Sequence, residues 1–175
     1  MSNYKEIVTK AVVGKAKKTS SGDYVLSTEE APNTVLGCWV INHIFNGSNN
    51  GGSVLINGSF DVNVWYSYDN DSKTAVSTKR FNYNDIMNIR LKDNKVITDK
   101  SEIIVRSLKQ PTVTEVKIDE GLVKLSIEKE LGVEIVGDTK LKVSVEEDED
   151  DYEVITDETI EVDEVIDQID EDYLN

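Results

Sequence analysis

The sequence predicts an all-β protein: an antiparallel β-sandwich or barrel-like domain, followed by an acidic, largely disordered tail with one short segment of helical spacing. Three observations support this prediction. Residues that favour strands (Val, Ile, Thr and Tyr) are frequent before residue 146. Apolar and polar side chains alternate in several short runs, as a strand with one buried face requires. Between residues 146 and 175 there are 16 Asp and Glu and no Lys or Arg.

The clearest alternation lies in the middle of the chain. One face of that strand carries Phe60, Val62, Val64, Tyr66 and Tyr68. Similar patterns predict further strands over residues 6–15, 34–45, 73–83, 102–108, 112–118, 122–129 and 140–145. In the last two, the side chains expected to point inward are Val123, Leu125 and Ile127, then Leu141, Val143 and Val145.

Turn-forming residues separate these strands. Residues 69–72, 92–95 and 119–121 are predicted hairpin connections, and residues 46–52 a flexible loop. Pro111 is expected at the start of a strand or at a sheet edge, where its missing N–H is harmless. The only helical turn considered in this part of the chain is at 84–89. Many short strands with frequent turns favour an antiparallel sandwich or barrel.

Charge divides the chain into a body, residues 1–145, and a tail, residues 146–175. The net charge is −15, of which the tail contributes −16, so the body is nearly neutral. A neutral body lacks the basic footprint that nucleic acids and anionic membranes require of a partner. The single cysteine excludes an internal disulfide. The absence of a signal-peptide core or a bilayer-length apolar run predicts a soluble protein made in the cytosol, without direct membrane insertion.

The tail has two parts. Residues 146–151 form a like-charge block, which predicts an extended, solvated linker. Beyond it, apolar side chains recur at helical spacing: Val162, Val165, Ile166, Ile169 and Tyr173. Two interpretations remain open, a disordered solubilising tail and a docking peptide that becomes ordered in a partner's groove.

No catalytic residue, cofactor site or metal site is predicted. Cys38 and His43 are the only pair available for His-assisted thiol chemistry, and their spacing puts them on opposite faces of a regular strand. Residues 69–71 begin like a calcium loop, but Thr74 and Arg80 stand where Gly and Glu are required. The glycines at 47–52 are not followed by the Lys-Ser/Thr pair of a phosphate-binding loop.

Two segments predict a surface that a partner covers. Residues 34–45 are apolar on both faces, which requires burial on both. One face carries Val35, Gly37, Trp39 and Ile41, and the other Leu36, Cys38, Val40 and Ile44. Trp65 shares its face with the polar Asp61, Asn63 and Ser67, which calls for a second layer or a partner. The candidates for self-association are Trp39, Ile41, Trp65, Tyr66 and Tyr68.

Five motifs in order resemble the spore coat protein CotE family. They are YKEIVTKAVVGK (4–15), LGCWVINH (36–43), GSFDVNVWYSY (58–68), QP (110–111) and EIVGDTK (134–140). The acidic C-terminus is also typical of that family, although its exact sequence here differs.

The resemblance implies a non-enzymatic morphogenetic scaffold of the bacterial endospore coat. Such a protein is made in the mother-cell cytoplasm, self-associates on the forespore surface and recruits outer coat or exosporium proteins. Its partners would be further copies of itself and other coat and morphogenetic proteins. The body would serve self-assembly and placement, and the tail recruitment. The alternative is a carbohydrate-binding or glycan-hydrolysing β domain acting on the spore envelope, with Trp39 and Trp65 among its sugar platforms.

Overall fold

The computed structural model describes residues 3–146 and confirms the all-β prediction. Its strands are β1 (Asn3–Leu26), β2 (Thr34–Asn50), β3 (Ser53–Tyr68), β4 (Lys73–Met87), β5 (Glu102–Asp119) and β6 (Leu122–Val145). They form two three-stranded antiparallel sheets, sheet A in the order β1-β6-β5 and sheet B in the order β2-β3-β4. The only helical element of the described residues is a 3-10 turn, Lys92–Asn94. None of these residues forms a helix long and apolar enough to cross a membrane.

The chain divides into two compact units. The larger, residues 8–141, contains sheet B entire and most of sheet A. The described residues of the smaller are 3–7 and 142–146, and among them the Lys142 ammonium lies 5.2 Å from the centroid of the Tyr4 ring. The tail residues beyond 146, with the linker and the helical spacing predicted there, lie outside the described residues.

The strands are longer than the sequence predicts. The two strands predicted at 102–108 and 112–118 are the single strand β5, and those at 122–129 and 140–145 both belong to β6. The predicted loop at 46–52 is also wrong, because β2 and β3 continue almost to their turn at Gly51 and Gly52, both of which have positive φ. Strand β4 likewise includes residues 84–87 of the segment considered for a helical turn, and ends at Met87.

The turn predictions have mixed outcomes. The hairpins at 69–72 and 119–121 are confirmed; in the second, Glu120 and Gly121 both have positive φ, as a two-residue hairpin turn favours. The hairpin at 92–95 is wrong, since these residues lie in a longer connection between β4 and β5. Pro111 lies on the edge strand β5, where the pairing is irregular between Lys109 and Thr112. Leu141 is exposed, not inward as expected.

The core lies between the central strands of the two sheets, β3 and β6. Their buried side chains are Val54, Ile56, Phe60, Val62, Val64 and Tyr66 on β3 and Val123, Leu125, Ile127, Leu131, Val133 and Ile135 on β6. The predicted alternation is confirmed in β3 and in residues 122–129 of β6. Since full burial of one such side chain is worth about 1.5–3 kcal/mol, this contact supplies much of the driving force for folding.

A polar layer divides this core into two apolar clusters. Lys129 points inward from β6 and is only 6% exposed. Its ammonium lies 3.2 Å from Asp85 Oδ2 and donates a hydrogen bond of 2.8 Å to Ser20 Oγ. It also lies 4.0 Å from the centroid of the Tyr83 ring, a cation–π contact. A charge buried between two sheets is tolerated because these partners replace its water.

Gly58 leaves the space that the Tyr83 ring of this polar layer occupies. Gly58 on β3 is paired with Tyr83 on β4, and the phenol ring of Tyr83 folds over the bare backbone of Gly58. A Cβ at residue 58 would collide with this ring, including a contact of 2.6 Å with Tyr83 Cε1. Any larger residue at 58 would therefore displace the ring that covers Lys129.

We predict that Gly58→Ala destabilises the fold by about 1–3 kcal/mol, because the added methyl group overpacks the Tyr83 site. Chemical denaturation measures the free energy of unfolding. Gly137→Ala is the matched control, since its Cβ would meet only Val13 Cγ2 at an ordinary 3.6 Å. Equal stability of the two variants would contradict this account of Gly58.

We predict that Lys129→Met lowers the free energy of unfolding by about 3 kcal/mol, because it leaves the Asp85 carboxylate in the core without its nearest cation. Lys18, 3.9 Å from Asp85, is the remaining partner. The double variant Lys129→Met/Asp85→Asn should recover part of this loss, as the buried charge is then gone. No recovery in the double variant would mean that the ion pair is not what stabilises Lys129.

Candidate interaction surface

The outer faces of the two sheets differ in chemistry. The outer face of sheet A is charged and has ion pairs between neighbouring strands, such as Lys15–Glu134 at 3.4 Å and Lys109–Glu128 at 2.7 Å. The outer face of sheet B has few charges. Its β3 residues are Leu55, Asn57, Ser59, Asp61, Asn63 and Trp65, and it also exposes Trp39, Ile41, Ile44, Val76 and Ile86. Sheet B is therefore the better candidate for contact with another macromolecule.

Two β-bulges determine which side chains of β2 reach this face. The pairing of β2 with β3 shifts between Val35 and Gly37 and again between Ile41 and Ile44. The second shift contains Asn42, whose φ of 56° is a conformation that asparagine tolerates better than most residues. Each bulge adds a residue and so resets the alternation of the strand.

The predicted faces of β2 are corrected by these bulges. Trp39 and Ile41 share a face as expected, but Ile44 joins them on the outside. Val35 packs instead with Cys38 and Val40 against the core. A strict period of two, applied across an unseen bulge, assigns the residues beyond it to the wrong face.

Two half-exposed tryptophans lie on the outer face, near the end of sheet B where β2 begins and β3 ends. Trp39 is 42% exposed and Trp65 is 43% exposed. They lie beside Gly37, where a Cβ would be 3.3 Å from Trp39 Cζ3 and 3.6 Å from Trp65 Cε3. Val76 pairs with Trp65 from the other side and is also exposed. We call this surface the tryptophan patch; its residues are Gly37, Trp39, Ile41, Trp65 and Val76.

The charges next to the tryptophan patch neutralise each other. Asp61 is largely buried and accepts hydrogen bonds from Arg80 Nε at 2.8 Å and Nη2 at 3.2 Å, and from Asn42 Nδ2 at 2.9 Å. The hydrogen bonds from Arg80, then that from Asn42, hold the pKa of Asp61 below its usual range. Asp61 raises the pKa of Arg80 in turn. The pair stays ionised and satisfied, so the patch presents no unbalanced charge.

The five self-association candidates do not all lie on one face. Trp39, Ile41 and Trp65 belong to the tryptophan patch. Tyr66 is 1% exposed, and its hydroxyl donates to Glu30 Oε2 at 2.8 Å. Tyr68 is half-buried against the core. Both tyrosines lie on the inward face of β3, so they do not form part of the patch.

Cys38 and His43 both point inward, contrary to the prediction, because the bulge at Asn42 lies between them. His43 Nε2 is 2.6 Å from the hydroxyl of Tyr83, and Nδ1 is 3.3 Å from Gln110 Oε1. Burial lowers the pKa of His43 and raises the pKa of the Cys38 thiol to about 11. A thiol of this pKa is protonated near neutral pH and is a poor nucleophile.

Metal ligation finds no support in the described residues. Across residues 3–146, no three His, Cys, Asp or Glu side chains are placed together so as to hold a metal ion. The calcium-like start at 69–71 is a hairpin turn, in which Asp71 Oδ1 accepts a hydrogen bond from Ser67 Oγ at 2.5 Å.

Three residues that matter in the structure, Lys129, Val76 and Asn42, were not singled out from the sequence. Lys129 had a clear signal, since it interrupts the alternation of apolar residues between Ile127 and Leu131. Val76 had a weak one, as an apolar residue between the polar Ser77 and the small Ala75. Asn42 had none, because a bulge residue on an apolar strand resembles any other polar interruption.

Comparison with known proteins identifies the family. The family model for outer spore coat protein E (CotE) matches residues 3–175, nearly the whole chain. No curated protein and no solved structure matches the chain. The family match agrees with the motifs found in the sequence. The chain therefore belongs to the outer spore coat protein E (CotE) family and is a spore coat protein.

Proposed function

We propose that the chain is a non-enzymatic scaffold of the spore coat whose copies associate through the tryptophan patch. The observation that supports this most strongly is the pair of half-exposed tryptophans side by side on a nearly uncharged sheet face. Exposed indoles on a flat surface are typical of interaction hot spots. The proposed route is from the mother-cell cytoplasm to the forespore surface, where the coat assembles.

The occupant we propose for the patch is the same patch of a second copy. Two sheets stack face to face when both surfaces are apolar or uncharged, and a two-fold axis lets one patch meet its copy. The outer face of sheet B meets this requirement, because the one ion pair on it, Asp61–Arg80, is internally balanced. The near-neutral body also allows many copies to pack without strong mutual repulsion.

We further propose that the tail recruits other coat proteins. Its charge of −16 keeps it soluble, and its apolar positions Val162, Val165, Ile166, Ile169 and Tyr173 are those of a docking stripe. Repeating the tail over an assembly would raise the effective affinity for any partner with several binding sites.

A glycan-binding role is the second candidate, because the indoles of Trp39 and Trp65 could also stack on sugar rings. The outer face of sheet B does not offer the side chains that glycan hydrolysis requires. It needs two carboxylates at a defined separation. On the outer face of strands β2 to β4, Asp61 is the only carboxylate, and it is bound to Arg80. The alternative is therefore limited to binding.

We predict that Trp39→Ser/Trp65→Ser weakens self-association at least about 30-fold, as expected when hot-spot side chains worth 2 kcal/mol or more are lost. Sedimentation velocity over a concentration series measures this. Val96→Ser, which changes an exposed valine in the connection after β4, is the control and should leave association unchanged.

Unchanged association of the double tryptophan variant would overturn the proposed interface. If this variant instead loses the ability to bind insoluble spore-envelope glycan, and the unaltered chain is monomeric, the glycan-binding alternative replaces the scaffold.

We predict that removal of the tail, by ending the chain at Val145, leaves self-association intact and reduces capture of coat proteins. The reason is that the patch lies within sheet B, whereas the docking stripe lies beyond residue 146. Sedimentation velocity and binding of purified coat-extract proteins to the immobilised chain measure the two properties. Loss of association on truncation would show that our division of roles is wrong.

A further inference from the structure

A notch in the charged outer face of sheet A lies at Gly132. Arg106 on β5 is directly opposite Gly132 in the register of the sheet. On the other side, the contacts of Lys15 with Glu134 and of Thr19 with Glu130 place Lys17 of β1 next to Gly132. The notch has a volume of about 530 Å³, and Leu108 lines it. Its charged lining residues are Lys15, Lys17, Arg106 and Glu134, and the only carboxylate among them, Glu134, pairs with Lys15. A residue without a side chain thus lies between two cations.

The floor of this notch is apolar. Leu108 is the extra residue of a β-bulge between Ser107 and Lys109, and its side chain lies over Gly132. A Cβ at Gly132 would be 2.9 Å from Leu108 Cδ1. Leu108 nevertheless stays half exposed. The notch therefore offers an apolar surface to a ligand as well as charge.

The two cations of the notch lack the ion pairs of their neighbours. Lys15 pairs with Glu134, and Lys109 pairs with Glu128. Glu130 accepts a hydrogen bond of 2.7 Å from Thr19. Among residues 3–146, neither Lys17 nor Arg106 forms a salt bridge. Cations on both sides of an apolar floor fit an extended segment with carboxylates and apolar side chains.

We propose that this notch binds the acidic tail, residues 147–175, of a second copy of the chain. The tail has the required chemistry, because it combines 15 Asp and Glu with several Val and Ile and has no Lys or Arg. From Gly132, strand β6 carries the chain nine residues onward to Leu141, about 30 Å at the usual rise. The copy's own tail would have to retrace that distance, whereas the tail of another copy has no such constraint.

This contact is independent of the tryptophan patch, and it joins different surfaces of two copies. A contact of this kind is head-to-tail, so it can extend an assembly beyond a pair. Coat proteins that bind the tail would compete with the notch for the same segment.

The test titrates the full chain into a fluorescently labelled peptide of residues 147–175 and follows anisotropy at two salt concentrations. We expect binding that weakens as salt rises, since exposed charges are screened. Lys17→Glu/Arg106→Glu should bind the peptide at least about tenfold more weakly, because two attractions become repulsions. Lys100→Glu/Lys117→Glu, which makes the same change of net charge at exposed sites away from the notch, should bind within about twofold of the unaltered chain.

Equal loss in both double variants would overturn the proposal, because attraction to the net charge alone would then explain binding. The same conclusion follows if a peptide with Val162, Val165, Ile166 and Ile169 changed to Asn binds as well as the natural one. Trp39→Ser/Trp65→Ser should bind the peptide normally, which separates failure of this proposal from failure of the patch.

Carbodiimide cross-linking of a mixture of ¹⁴N- and ¹⁵N-labelled full chains identifies whose tail occupies the notch. Cross-links between Lys17 of one isotope and tail carboxylates of the other support a second copy. Cross-links confined to chains of one isotope would contradict it.

Discussion

The contact between β3 and β6 is the interaction on which the rest of the structure depends. Each central strand turns one face toward the other, and their apolar side chains exclude water between the sheets. Because side chains alternate along a strand, this contact also determines which residues face outward. Trp65 is exposed for the same reason that Val64 and Tyr66 are buried. The position of the candidate interaction surface is thus a direct consequence of the core.

The two outer faces give the protein two different kinds of surface. Sheet A is covered with ion pairs, which remain solvated, whereas sheet B presents indoles, amides and one balanced ion pair. A protein that only had to stay soluble would have no need of the second face. This asymmetry is the reason for proposing that this member of the spore coat family associates through sheet B.

Sequence reasoning predicted the all-β fold, the alternation of β3 and of residues 122–129 in β6, and the position of Trp65 on the polar face of β3, because each depends on local periodicity alone. It failed where a bulge resets that periodicity, as at Asn42, which places His43 on the same inward face as Cys38. It also failed where strands continue through residues that resemble turns, as in β2 and β6. Hydrogen bonds to a neighbouring strand hold such residues in the extended conformation. Which strands pair cannot be read from the local pattern of a single sequence.

Tryptophan fluorescence tests the central claim most directly, because Trp39 and Trp65 are the only tryptophans of the chain and both belong to the patch. Acrylamide quenching is measured at increasing protein concentration alongside light scattering. If copies associate through the patch, quenching should fall and the emission should shift to the blue as scattering rises. Scattering that rises while the indoles remain equally accessible to acrylamide would contradict the account.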